Sequence, residues 1–472
     1  MPHFDLVIVG TGSGNTIAGK EFQDMTIAVV ESGRFGGTCL NVGCIPTKSY
    51  VYPADVAEAA RHGGRLGLHA TVDRVDWPAM RDRIFARIDE IADSGQQYRE
   101  GPKWPNLTVF SGTGRFTGSK RMVVDLNDGG SAELTADRFV LAAGGRPVIP
   151  DIPGLDEETL GLDVVHTSDT IMRIEELPER LVVIGGGYIA AEFAHIFASF
   201  GTRVTQLVRG DRLLRHHDAD IATAFTDYTQ QRYDLRRDTD VCGIKPTTSE
   251  GDGVTVFVEG PYGEATIEAD LLLVATGRRP NSDRLNLPAT GVTVNQQRSV
   301  IVDEYQETVV PGIYALGDIS SPYALKHVAN HEARVVRHNL IHPDDRIKTD
   351  HRFVPAAVFT EPQIAAVGLT EEQARERGVD YVVGRRDYGG TAAGWAREDT
   401  TGFVKLLADP ETGLLLGAHI IGPEAATVIQ PLIQAMTFGQ TAHDVARGQY
   451  WIHPALPEVA ENALLALPKP KK

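Results

Sequence analysis

Short apolar runs broken by glycine pairs organise this chain. FDLVIVG at 4–10 is apolar at nearly every position, which predicts a strand buried on both faces, and it runs into Gly10 and Gly12. TIAVVE at 26–31 is a second such run, ending in Glu31. The arrangement recurs further on. RLVVIG at 180–185 leads to Gly185 and Gly187, YIAAEFAHIFASF predicts an amphipathic helix closing at Gly201, and TRVTQLVR predicts the next strand. Each copy closes on a related strand, RFVLAAGGRP at 138–147 and DLLLVATGRRP at 270–280. The first copy has about forty more residues between its turn and its closing strand, room for a helical insertion. GIYALGD at 312–318 predicts a further strand ending in Asp318. These periods predict an α/β chain with two Rossmann-like dinucleotide-binding domains.

A glycine turn between strand and helix lets backbone N–H groups approach a pyrophosphate, and a carboxylate ending the second strand reaches ribose hydroxyls. Gly10, Gly12 and Glu31 fit that pattern, although Asn15 holds the third glycine position and Gly19 interrupts the following helix. Gly185, Gly187 and Ala190 fit it more closely. There the carboxylate is replaced by Arg209, with Arg212 and Arg215 close behind. Arginines in that place favour the 2′-phosphate of NADP over NAD. Two dinucleotide folds in one chain pair most simply as FAD with NADPH.

The 472 residues exceed one core, so several domains are expected. A net charge of −17 argues against nucleic acid or an anionic membrane as partner. The N-terminal residues read as a strand rather than a signal peptide, and no apolar run has the length of a membrane span. A cytoplasmic protein is expected. Three cysteines are too few for a disulfide scaffold, yet Cys39 and Cys44 lie together in GGTCLNVGCIPTK. Such a pair reads as a staple, a metal site or a redox couple.

GGTCLNVGCIPTK, the two glycine turns in this order, ALGD at 315–318 and WIHPALPE at 451–458 together resemble the class I pyridine nucleotide–disulfide oxidoreductases. The resemblance spans essentially the whole chain. It implies an FAD-binding domain over 1–145, an NADPH-binding domain over 146–279, a central FAD-contacting segment over 280–345 and an α+β dimerisation domain over 346–472. Gly10, Gly12, Glu31, Gly36, Thr38 and Asp318 would sit at FAD. Gly185, Gly187, Arg209 and Arg215 would sit at NADPH, and Tyr188 would cover the nicotinamide pocket. Cys39 and Cys44 would be the redox pair, Cys44 nearer the flavin and Cys39 facing the substrate. Lys48 would lie near the flavin with Glu192 as its ion-pair partner.

The residues agree with a redox reading of the pair. Zinc wants about four ligands, and the only other cysteine, Cys242, is remote and has no paired histidine. A staple across so short a loop would add little. Pro46 suits a first helical turn, placing Cys44 at a helix N-terminus that favours thiolate. His453 is the candidate acid and base for the exchange, with Glu458 five residues on able to fix its tautomer. By resemblance this histidine comes from the partner subunit of a homodimer, so the active site is shared across the interface. The substrate would be a small-molecule disulfide, with glutathione disulfide one candidate. A flavoprotein delivering electrons to quinones or oxygen is the alternative.

Overall fold

In the computed structural model, which describes residues 1–247 and 253–470, the first apolar run forms the strand His3–Val9. It pairs in parallel with Ile27–Glu31 and with Ser131–Leu141, so that Val7 lies opposite both Ala28 and Phe139. Leu107–Gly118 and Ile313–Ala315 extend this parallel layer at its two sides. Beyond it the two long strands continue, and Arg121–Leu126 joins them antiparallel. One face packs Val7, Val9, Phe116 and Phe139; the other packs Leu6, Ile8, Ile17 and Val336. Burial on both faces is why these strands read as unbroken Val, Ile and Ala.

By its contacts the chain divides into two compact units. The first gathers Met1–Thr47, Pro78–Val148 and Gly277–His351, and contains the sheet just described. The second gathers Lys48–Trp77, Ile149–Thr276 and Arg352–Lys472. Its own parallel sheet runs, in spatial order, Asp234–Arg236, Arg203–Leu207, Arg180–Ile184, Leu271–Val274 and Val165–Thr167. A three-stranded antiparallel sheet, Asp240–Pro246, Val254–Gly260 and Gly263–Ala269, precedes the strand Leu271–Val274. The C-terminal part is a five-stranded antiparallel sheet whose core of Leu406, Ile420, Leu432, Val459 and Leu464 is closed by helices at 425–438 and 458–466.

Three elements differ from the sequence expectation. The first glycine turn is followed by two 3-10 turns, Ser13–Thr16 and Lys20–Phe22, instead of an α-helix. Gly14 and Gly19 both lie in that segment, and each weakens helix propagation by about 1 kcal/mol relative to alanine. GIYALGD yields only the strand Ile313–Ala315, and Asp318 sits in the 3-10 turn Gly317–Ile319. The helix Tyr188–Ser199 is buried on almost every side after its first turn. It has lost its polar face because partners meet that face too, and its histidine and glutamate are consumed in bonds described below.

Candidate active site

The two glycine turns are built alike. A Cβ placed on Gly10 would lie 2.3 Å from the Ala142 carbonyl oxygen, and one on Gly185 would lie 2.3 Å from that of Ala275. Both glycines have positive φ, 103° and 142°. Each turn thus packs its backbone onto the closing strand of its own copy, which only glycine permits. In the first unit the backbones of two loops also meet: a Cβ on Gly37 would come 2.8 Å from the Gly12 Cα. That bare backbone surface fits the pyrophosphate of FAD. Glu31 ends its strand as expected, with its Oε2 accepting from Thr11 N (2.8 Å) and Thr11 Oγ1 (2.6 Å) and its Oε1 accepting from Gly33 N (2.8 Å). Thr11 Oγ1 accepts in turn from Gly36 N at 3.2 Å. Each carboxylate oxygen keeps acceptor capacity for a ribose hydroxyl. Asp318 is half-buried, and burial raises its pKa against the opposing pull of Arg278 and Lys326.

Cys39 lies on the short helix Gly37–Asn41, which carries Thr38 and is capped by Gly36 in the left-handed region. Cys44 opens the long helix Cys44–His62, with Pro46 in its first turn. Gly43 makes the approach possible, because a Cβ there would meet the Thr38 carbonyl oxygen at 2.8 Å. Neither residue is joined in a disulfide in this structure. The neighbouring Cys44 sulfur and burial push the Cys39 pKa far up, while Lys326 pulls it down.

In the second unit Gly187 stands before the N-terminus of Tyr188–Ser199, where an added Cβ would meet nothing within 4 Å. Arg209 and Arg215 are exposed and form no ion pair among the described residues, whereas Arg212 lies 3.6 Å from Glu372. An open helix N-terminus beside two uncommitted guanidinium groups fits the phosphates of NADPH. Tyr188 is exposed at that end. Lys48 Nζ donates to both Glu192 oxygens, at 2.8 and 2.6 Å, and Glu192 Oε1 also accepts from Phe359 N at 3.0 Å. The Lys48 ammonium stands 4.7 Å from the Phe359 ring centroid. His453 Nδ1 lies 2.8 Å from Glu458 Oε1, and Glu458 Oε2 accepts from Ala455 N. The His453 side chain is 71% exposed in the single chain, flanked by the exposed Tyr450 and Ile452. Cys242 lies exposed on the strand Asp240–Pro246, in the other unit from the thiol pair.

Sequence reading missed Thr11, Lys326 and Arg99. Lys326 donates to Ser13 Oγ at 2.9 Å and Ser13 donates to Asn330 Oδ1 at 2.9 Å, tying the first turn to the helix Lys326–Ile341. Arg99 is buried and donates to Asn15 Oδ1 (2.8 Å), the Ala18 carbonyl (3.0 Å) and the Asn15 carbonyl. It satisfies the acceptors that a continuous helix would have used. No local pattern marks a helix arginine 84 positions away as their partner.

Residues 4–333 match the pyridine nucleotide–disulphide oxidoreductase family, and 354–464 match the dimerisation domain of the same family. The chain is 52% identical to mycothione reductase of Mycobacterium tuberculosis, over 99% of this chain and 100% of that protein. It is 33% identical to mercuric reductase of Streptomyces lividans, over 98% and 95%. Among solved structures, HOCl-induced flavoprotein disulfide reductase RclA from Escherichia coli superposes with a TM-score of 0.83 at 28% identity, over 98% of this chain and 99% of that one. This chain belongs to the pyridine nucleotide–disulphide oxidoreductases. It is accordingly an FAD-containing, NADPH-dependent disulfide reductase. Among the described residues no helix is long and apolar enough to cross a membrane.

Proposed function

We propose that this enzyme reduces mycothione to two molecules of mycothiol through a redox-active Cys39–Cys44 pair. The carrying observation is the placing of Cys39 beside Cys44 at the start of the helix Cys44–His62. The identity of the disulfide rests on likeness along 99% of the chain to a mycothione reductase. When bound, FAD delivers to the pair the two electrons that NADPH supplies.

The chain's own residues do the rest. We assign the negative charge of the reduced pair to Cys44, at a helix N-terminus, and the proton to Cys39, whose proton affinity the Cys44 neighbour and burial raise. For Cys39 to attack, a base must take that proton. We assign this to His453 of a second copy of the chain, whose ring Glu458 orients. Cys39 sulfur then bonds to one sulfur of the substrate, the substrate S–S bond breaks, and the departing thiolate takes the proton from His453. Cys44 thiolate attacks the Cys39 sulfur next. The mixed disulfide breaks, the second thiol leaves, and the Cys39–Cys44 bond is restored. Lys48 stands one turn after Cys44 on the same helix and is held by Glu192, and we assign the two to the flavin-facing side of that helix. Exposure of His453, Tyr450 and Ile452, together with a dimerisation-domain match, supports a homodimer with shared active sites.

The test is NADPH oxidation with mycothione, glutathione disulfide and a quinone. Mycothione is expected to give a kcat/KM at least ~100-fold above glutathione disulfide, a ratio that about 3 kcal/mol of differential contact supplies. Equal turnover of both disulfides would overturn the substrate. Unchanged quinone turnover in Cys39→Ser, exceeding disulfide turnover in the native enzyme, would overturn the reaction.

A further inference from the structure

Below the Lys48–Glu192 pair lies a second set of buried polar contacts between the same two helices. His195 follows Glu192 by one turn on Tyr188–Ser199 and is 1% exposed. Its Nε2 lies 2.9 Å from Oδ1 of Asp55, which follows Lys48 by two turns on Cys44–His62. Its Nδ1 lies 3.2 Å from Arg232 Nη1 and 3.4 Å from Ser199 Oγ. An arginine can only donate, so Nδ1 is the acceptor and the proton sits on Nε2, donated to Asp55. The imidazole is thereby fixed as one neutral tautomer with both nitrogens satisfied. Arg232 also pairs with Glu58 at 2.9 Å and donates to the Glu361 carbonyl at 3.3 Å. Glu361 is two residues from Phe359, whose N–H holds Glu192. The contacts close a ring: Lys48, Glu192, the 359–361 backbone, Arg232, His195, Asp55, and back along the helix to Lys48.

A histidine inside an otherwise apolar helix core is costly unless fully bonded. Its bonds here have a geometric consequence. One ion pair leaves two packed helices free to turn about it, while a second attachment seven residues along removes that freedom. We propose that His195 is a positioning residue for the reductive step, locking the helix that bears Cys44 and Lys48 in register with the helix that bears Tyr188 and Glu192. This rests on the assignment of Lys48 and Glu192 to the flavin side. A displacement of about 1 Å in a reacting group is enough for a hundredfold loss of rate.

The experiment compares His195→Leu and His195→Gln with the native holoenzyme. Glutamine keeps one donor and one acceptor, and leucine keeps only bulk. Anaerobic flavin reduction by NADPH, with no disulfide present, is expected to fall ~10- to 100-fold in the leucine variant and to return within a few-fold in the glutamine variant. Reoxidation of the prereduced enzyme by disulfide should change less than twofold. Amide hydrogen exchange in peptides spanning 355–362 should accelerate in the leucine variant only, reporting loss of the Phe359 tie. Unchanged flavin reduction in His195→Leu, an equal fall in both half-reactions, or no recovery with glutamine would each overturn the proposal. Lys48→Met separates the underlying assignment. If it leaves flavin reduction intact, the role given to Lys48 has failed, whereas the exchange data still report on the His195 tie.

Discussion

At position 361 a half-buried carboxyl group stands near Asp55, Asp399 and Glu58, with Arg232 the opposing charge, and its pKa is raised to about 7, chiefly by desolvation. The sign of the linkage follows. Between the ordinary value of 4.5 and about 7 the unfolded chain releases a proton that the folded chain keeps, so stability falls as pH rises through that window and stays low above it. Glu361→Gln should therefore gain about 1–3 kcal/mol above pH 7 and gain nothing below pH 4.5. Thermal midpoints at pH 4.5 and pH 8 check this, and an equal shift at both would refute it. The same residue-scale reasoning separates the two sulfurs. The Cys44 neighbour and burial raise the proton affinity of Cys39, and with Cys44 as the proposed thiolate, Cys44→Ser should remove the long-wavelength absorbance of the reduced enzyme, and Cys39→Ser should retain it. A band that survives Cys44→Ser would reverse the assignment.

Among elements, the two glycine turns make an instructive pair. The second leads into a full helix of 12 residues; the first leads into two 3-10 turns. What replaces the missing helix is a single guanidinium, Arg99, delivered from Trp77–Glu100 and lying 4.6 Å from the Trp104 ring centroid. Arg99→Leu would strand two buried carbonyls and the Asn15 amide oxygen. Each lost partner costs about 1–3 kcal/mol. Flavin retention is expected to weaken by at least ~10-fold, and Arg99→Lys should not rescue it, since an ammonium cannot serve three divergent acceptors as a fork does. Flavin release followed by fluorescence gives the measurement, and native affinity in Arg99→Leu would sink the idea. The glycines themselves are legible in the sequence. A strand–Gly–x–Gly turn has few other uses, and both Gly10 and Gly185 pack on the closing strands that the internal repeat pairs with them. Arg99 is illegible there because its partners lie 84 residues earlier, and pattern carries no such pairing.

For the whole molecule, the proposed sharing of sites has a quantitative consequence. Mixed dimers of Cys39→Ser and His453→Ala chains contain one doubly altered site and one intact site. Co-expression of two inactive variants should thus restore about a quarter of native activity, half the dimers being mixed and each half active. No recovery would place His453 in the same chain as the thiol it serves.

The sequence alone determined the class of fold, both glycine turns, the cysteine pair, the arginines that follow the second turn and the His453–Glu458 couple. All of these are local, because strand periodicity, a glycine turn, a C-x4-C spacing and an i, i+5 pair are written in consecutive residues. Tertiary structure alone decided which distant side chains meet. Glu192 with the Phe359 N–H, His195 with Asp55 and Arg232, and Arg99 with Asn15 are joined by folding over tens to hundreds of residues. Burial decides the rest: the Cys39 and Glu361 proton affinities are set by the desolvation and neighbours that packing imposes, which no residue carries in its own identity.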